Sequence, residues 1–222
     1  MRSLPCRPRS REVAFPDRYS LCVVDPIAVL ELDDARLREV CVALFNDMYL
    51  MDQAACSSPQ LLVWIGEEYV VSQAKQRLWP VMANLVRQRY TPESIQIMDK
   101  YVQVCLHVMN NASIKNVYKY DNMLYRLDLN GVSLNQDEYR GYSGTIHEVT
   151  LPELNLIAPI INERYQTLSY FGVNVQDVGN LIVNHGLRGI DRIVPIGRAL
   201  EMGVIWDGYD IVRSLSREID IQ

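Results

Sequence analysis

The residue whose type and setting could do chemistry is Cys56. It stands in Met51-Asp-Gln-Ala-Ala-Cys56-Ser-Ser-Pro-Gln60, a small polar stretch without apolar periodicity that lies between a helical pattern and a strand. A cysteine flanked by small residues in such a loop can expose its sulfur and approach a substrate carbonyl. Neighbouring backbone N–H groups can then polarise the carbonyl oxygen. The residues alone leave a plainer reading open, that of an incidental loop thiol. A second stretch, Gly186-Leu-Arg-Gly-Ile-Asp-Arg-Ile-Val-Pro-Ile-Gly197-Arg, is rich in glycine but lacks the G-x-G-x-x-G order and a Walker lysine. It reads as a poor phosphate cradle or as turn chemistry around a buried strand. In the third, Val204-Ile-Trp-Asp-Gly-Tyr-Asp210, Trp206 and Tyr209 lie between acidic residues and either line a pocket or anchor a C-terminal helix.

The three histidines offer less. His107 falls in a helical pattern among apolar neighbours, His147 in a strand pattern and His185 at a helix end, where positive charge is favoured. No set of histidines and carboxylates has metal-ligand spacing, so no metal site is expected. A G-x-S-x-G elbow is missing, which counts against an α/β hydrolase. The five cysteines are odd in number, widely spaced and free of a C-x-x-C pair. Cys22, Cys41 and Cys105 sit in apolar periodic segments and read as small buried hydrophobes, while Cys6 belongs to the N-terminal leader. A reducing, cytoplasmic setting fits this usage.

Positioning Cys56 requires a scaffold, and the chain spells one out. Arg18–Val24 and Leu61–Ile65 are apolar runs bounded by turn signals, the pattern of buried strands. Asp33 and Asp34 open a helical pattern through Met48, and further helical patterns run from about Glu68 to Gln88 and, after Thr91-Pro92, to about Val108. Strand–helix alternation predicts a parallel sheet covered by helices. Asn116–Tyr120, Met123–Leu129 and Gly144–Leu151 read as strands around Asn130-Gly131, which predicts a hairpin-like β excursion over about 116–151. Beyond Pro152 the reading is a helix through Asn162, a strand at Thr167–Phe171, a helix from about Val175 to His185, a strand at Arg192–Ile196 and a closing amphipathic helix near Tyr209–Ile219. One α/β domain over residues 1–222 accounts for the pattern.

Composition bounds the rest. The 222 residues are 49% hydrophobic and 22% charged with 11 Gly and 10 Pro, which excludes disordered, collagen-like and mucin-like chains. A net charge of -5 argues against a nucleic-acid partner. The longest uncharged apolar runs, such as Leu61–Gly66, fall far short of the about 20 residues that cross a bilayer. The leader Met1–Arg11 carries four Arg residues but no apolar core, so it does not read as a secretory signal.

Taken in order, several segments resemble one family. Phe15-Pro-Asp-Arg-Tyr-Ser-Leu-Cys-Val-Val-Asp25, Asp52-Gln-Ala-Ala-Cys56-Ser-Ser-Pro-Gln60, Tyr165-Gln-Thr-Leu-Ser-Tyr-Phe-Gly172, Gly189-Ile-Asp-Arg-Ile-Val-Pro-Ile-Gly-Arg-Ala-Leu200 and Ile205-Trp-Asp-Gly-Tyr-Asp210 are similar to the long-chain acyl-CoA (acyl-protein) reductase of bacterial luminescence. The resemblance runs from about Arg11 to the C-terminus. The family belongs to the aldehyde dehydrogenase superfamily, so the resemblance implies a doubly wound, mostly parallel α/β catalytic domain with a β-hairpin excursion used for oligomer contacts.

The resemblance also implies chemistry. Cys56 becomes the nucleophile toward an acyl-CoA or acyl-protein thioester, and its own N–H becomes an oxyanion donor. An S-acyl enzyme would then be reduced with NADPH to a fatty aldehyde. The superfamily's general base is often a glutamate about one strand upstream, and Glu12 is the glutamate that stands just before the first strand. Complete members are about twice this length, because a nucleotide-binding domain precedes the cysteine domain. This chain is therefore expected to be the cysteine-bearing half of such an enzyme, and to form a homo-oligomer or to associate with a partner chain that carries the nucleotide-binding domain. The alternative expectation is a catalytically silent module that keeps the fold for binding or assembly.

Overall fold

β1 (Tyr19–Val24) and β2 (Leu61–Ile65) are the central strands, and every residue of β1 is buried. Continuous apolar runs of this kind form where both faces of a parallel sheet are covered. The computed structural model describes residues 7, 8 and 10–221. Cys6 and most of the leader lie outside the described residues. Five further strands follow, β3 (Ile114–Tyr120), β4 (Leu124–Leu129), β5 (Thr145–Leu151), β6 (Tyr165–Phe171) and β7 (Arg192–Pro195). The seven make one sheet in the order β3-β4-β5-β2-β1-β6-β7. All neighbours are parallel except β3, which pairs antiparallel with β4 at the edge.

Helices cover both faces. α1 (Pro26–Leu30), α2 (Asp34–Tyr49) and α3 (Glu68–Arg89) pack on one face, with Trp64, Trp79, Met48 and Met82 among the buried side chains. On the other face α5 (Val175–His185) and the turns at Leu154–Ile160 share one core with Leu21, Val23, Val63 and Val149, and α4 (Ser94–Asn110) lays Val104 against Tyr125 and Leu127 of β4. The caps follow the sequence. Asp33 accepts from Arg36 N–H at 2.8 Å, Asn174 accepts from Gln176 N–H at 3.0 Å, and Gly186 ends α5 in the left-handed region. Among the described residues no helix is long and apolar enough to cross a membrane.

Stretch 116–151 contains the expected hairpin, but it stays in the sheet. The hairpin joins β3 to β4 through residues 121–123, where Asp121 takes φ 52°, and Asn130-Gly131 only leads away from β4. β5 then enters between β4 and β2. Two helical expectations are corrected. After Pro152 the chain forms 3-10 turns at Leu154–Ile160, because Pro159 cannot donate inside an α-helix. The closing helix α6 is only Ile211–Leu215, and it buries none of its residues, so nothing extends it. Before it, β8 (Ile205–Trp206) and β9 (Tyr209–Asp210) form a small separate ribbon.

The core holds polar groups with defined partners. Glu148 of β5 is fully buried and accepts from the indole N–H groups of Trp64 (3.1 Å) and Trp79 (3.2 Å). Its other oxygen faces Arg126 at 3.3 Å and Lys75 at 3.5 Å. On the opposite face His147 is also fully buried, with the His107 ring 5.0 Å away and Tyr139 beside both. Burial, reinforced by His107, pushes the His147 pKa down to about 3. Its folded pKa lies below its unfolded value, so the unfolded chain takes the proton first as pH falls. The stability conferred by neutral His147 is complete above about pH 6.5 and is lost as pH falls towards 3. Urea unfolding at pH 7 and pH 4 should therefore show an acid loss that His147→Phe reduces by about 3 kcal/mol. Parallel pH profiles for the two proteins would show that this histidine does not titrate as a buried group.

Candidate active site

Cys56 lies in the connection from α2 to β2, at the edge of the sheet where the parallel strands begin. It is exposed, whereas Ser57, Ser58, Pro59 and Gln60 behind it are buried. The connection starts with two left-handed residues, Asp52 (φ 49°) and Gln53 (φ 62°), a backbone that non-glycine residues adopt only when held. They are held from several sides. Gln53 donates its amide to Pro59 O at 2.8 Å and accepts from Thr145 N–H at 3.2 Å. Gln60 donates to Gln53 O at 3.1 Å and accepts from Gly141 N–H at 2.8 Å. Asp52 accepts from the Tyr90 hydroxyl at 2.6 Å and from Gln96 at 3.3 Å.

Around Cys56 itself, Ser58 N–H donates to Ala55 O at 3.0 Å, and the Ser20 hydroxyl of β1 donates to Cys56 O at 2.7 Å. Among the described residues the N–H groups of Cys56 and Ser57 bond to no acceptor of the chain. Behind the loop, Lys100 of α4 is fully buried and donates to Ser143 O (2.8 Å) and Met123 O (3.2 Å); burial lowers its pKa to about 8. Ser143 N–H in turn reaches Asp52 O at 2.9 Å. Gly141 and Gly144 are required here, since a Cβ at either would fall within 2.3 Å of Thr145 O or the Tyr49 hydroxyl.

The two glycine and aromatic motifs frame this edge. Asp207 and Gly208 turn the β8–β9 ribbon with φ 53° and 77°. Buried Asp207 accepts from Gln166 at 2.9 Å and pairs with Arg18 at 2.6 Å; Arg18 also pairs with Asp191 and donates to Glu163 O. Arg192 lies over the Trp206 ring at 5.3 Å and donates to Ala199 O at 2.6 Å. The N–H groups of Gly197 and Ala199 are taken by the buried Asp47 carboxylate at 2.7 and 2.9 Å, so this glycine stretch fits its own side chain and not a phosphate or the pyrophosphate of a dinucleotide. Burial nevertheless raises Asp47 to about 6.

Glu12 lies exposed in the extended segment ahead of β1, and its neighbour Arg11 donates to Ser214 O near the C-terminus. Among the described residues no group of three or more His, Cys, Asp or Glu side chains is arranged to hold a metal ion. The residues that sequence reasoning missed are Ser20, Gln53, Gln60 and Arg18. The two glutamines at either end of the cysteine loop, and a serine inside an apolar strand run, were the available signals.

A mostly parallel seven-stranded sheet with helices on both faces is the fold of the aldehyde dehydrogenases. The chain is similar to a protein assigned as a methylmalonate-semialdehyde dehydrogenase of Sinorhizobium meliloti 1021 in complex with NAD, with TM-score 0.52 and 13% identity over 82% of this chain and 40% of that one. It is similar as well to the delta-pyrroline-5-carboxylate dehydrogenase of Mycobacterium tuberculosis (TM-score 0.50, 14% identity, 80% of this chain and 35% of that one). A third is the indole-3-acetaldehyde dehydrogenase AldA of P. syringae (TM-score 0.50, 10% identity, 84% and 39%). The chain thus spans 35–40% of the length of these structures. No curated protein sequence matches it. The model of the acyl-CoA reductase (LuxC) family matches residues 1–218, and the chain belongs to that family.

Thiol accessibility separates Cys56 from the other described cysteines. Cys22 and Cys41 are buried, which pushes both thiols up to about 12, and Cys105 is half-buried. Limited iodoacetamide at pH 8 followed by peptide mapping should modify Cys56 before Cys105, with Cys22 and Cys41 labelled only after unfolding. Early modification of Cys22 or Cys41 would contradict the packing described.

Proposed function

We propose that Cys56 accepts the acyl group of an acyl-CoA or acyl-protein thioester as the first half of an aldehyde-forming reduction. The observation that carries this reading is an exposed cysteine on a rigid turn whose own N–H, and the next, are unengaged. The thiolate attacks the thioester carbonyl, the carbonyl electrons move onto oxygen, and the N–H of Cys56 meets the developing charge. Collapse expels the CoA thiolate, which takes up a proton, and leaves an S-acyl enzyme. Glu12 is the candidate base for the cysteine proton.

A nicotinamide nucleotide, NADPH in this reading, supplies the hydride that turns the acyl group into a fatty aldehyde. The one glycine-rich stretch described here is closed on Asp47. The nucleotide is therefore assigned to a nucleotide-binding domain outside these residues, whether in a longer chain or a partner, and the setting is cytoplasmic.

A second reading is favoured by α4. Ile95, Met98, Val102, Leu106 and Met109 follow one another at helical spacing and stand about half exposed or more. A module that keeps the fold for assembly, without catalysis, would use such a face.

Incubation with palmitoyl-CoA should add one palmitoyl mass to the protein, removable by neutral hydroxylamine and missing from Cys56→Ala. An equal adduct on Cys56→Ala would overturn the nucleophile assignment. Glu12→Gln should slow acylation about tenfold or more near neutral pH, in line with the range for a positioned base; an unchanged rate would remove Glu12 from that role. Self-association on analytical ultracentrifugation with no adduct would favour the assembly reading.

A further inference from the structure

We propose that the Ser57 N–H is a second oxyanion donor beside that of Cys56, and that Ser20 is the positioning residue that aims it. The proposal rests on the reading of Cys56 as the nucleophile.

Ser20 is fully buried as the second residue of β1. The register between β1 and β6 shifts there: Tyr19 faces Tyr165, but Leu21 faces Leu168, so Gln166 and Thr167 both oppose Ser20. This bulge takes Thr167 N–H out of the strand ladder, and it donates instead to the Ser20 hydroxyl oxygen at 3.1 Å. An N–H can only donate, so the Ser20 oxygen is the acceptor in that bond. The hydroxyl proton is then committed to Cys56 O at 2.7 Å.

In a trans peptide the C=O and N–H point in opposite directions, and the described residues contain no cis peptide. Drawing the Cys56 carbonyl onto buried Ser20 therefore turns the Ser57 N–H away from the strand. Ala55 O is likewise engaged, by Ser58 N–H at 3.0 Å, which directs the Cys56 N–H out of the turn. Gln53 and Gln60 lock both ends of the loop through four amide contacts. Two consecutive N–H groups held without an acceptor make a donor pair suited to an oxygen that is nearly neutral in the thioester and negative in the tetrahedral intermediate. Such a pair stabilises the transition state more than the ground state.

The test compares the 222-residue chain with its Ser20→Ala and Ser20→Thr forms in three measurements. These are the rate of Cys56 acylation by palmitoyl-CoA, the rate of Cys56 alkylation by iodoacetamide, and hydrogen exchange of peptides spanning 54–60. Alkylation at a saturated carbon forms no oxyanion, so it reports thiol access alone. Ser20→Ala should acylate at least about tenfold more slowly, as expected when one donor is misdirected, with alkylation within about twofold and faster exchange confined to 54–60. Ser20→Thr, which keeps the hydroxyl, should recover most of the acylation rate. Equal acylation in Ser20→Ala, or acylation and alkylation falling in parallel, would overturn the aiming role. If the unaltered chain gains no acyl mass, the nucleophile reading fails by itself. Exchange then decides the positioning claim: faster exchange at 54–60 in Ser20→Ala supports it, and unchanged exchange overturns it.

Discussion

A strand buried on both faces cannot leave a ladder N–H unpaired, and at Ser20 the ladder breaks. The β-bulge on β6 sets two residues against one, and the Thr167 N–H finds its acceptor in a side chain, the Ser20 hydroxyl. That hydroxyl has one proton left, and it holds the carbonyl of Cys56. The conformation of an exposed turn is thus set from inside the sheet, by an irregularity between β1 and β6. The same bulge releases Gln166 to reach Asp207, so one defect in pairing serves both the cysteine turn and the C-terminal ribbon.

Arg18, one residue before β1, works in the same manner with charge in place of a hydroxyl. It is almost wholly buried, and it gathers Asp191, Asp207 and Glu163 O from three separate loops. A buried pair of this kind adds little over an apolar replacement, but removing one partner leaves a charge stranded and costs about 3–5 kcal/mol. Its value is in specifying where the loops go. Glu148 plays the corresponding part inside the core, where two indoles, an arginine and a lysine fix the placement of α3 on β4 and β5. Three polar anchors therefore set a sheet whose apolar residues would tolerate small slips.

The parts legible in the sequence were those governed by local pattern. Leu61–Ile65 and Val175–His185 come out with the limits read from their residues, because an uninterrupted apolar run and an Asn–Gly cap pair leave little freedom. Cys56 was visible because small residues surround it. Its supports were not, because they are long-range: Thr145 with Gln53, Gly141 with Gln60 and Thr167 with Ser20 are separated by 81 to 147 positions. The hairpin was legible, but not its turn. Asn130-Gly131 is the stronger local signal, whereas residues 121–123 win because β4 must run parallel to β5 and cannot turn directly into it. The closing helix was overestimated because periodicity reports an apolar stripe and not whether a surface exists to cover it.

The segments by which the chain resembles its family divide into two kinds of constraint. In Gly189–Leu200 and Ile205–Asp210 the sequence is fixed by backbone. Ile190 and Asp207 hold left-handed conformations, a Cβ on Gly189 would strike Asn162 O, and one on Gly197 would strike Ala43. Asp47 accepts from the N–H groups of Gly197 and Ala199 in this stretch, so neither is left for an anion from outside. In Asp52–Gln60 the N–H groups of Cys56 and Ser57 meet no acceptor among the described residues. Both loops use small residues to bring neighbouring N–H groups together, those of Gly197 and Ala199 in one and of Cys56 and Ser57 in the other. One is closed by an internal carboxylate and stabilises the fold, and the other stays open beside an exposed sulfur. That contrast, more than the density of glycine, separates a structural loop from a candidate catalytic one in this chain.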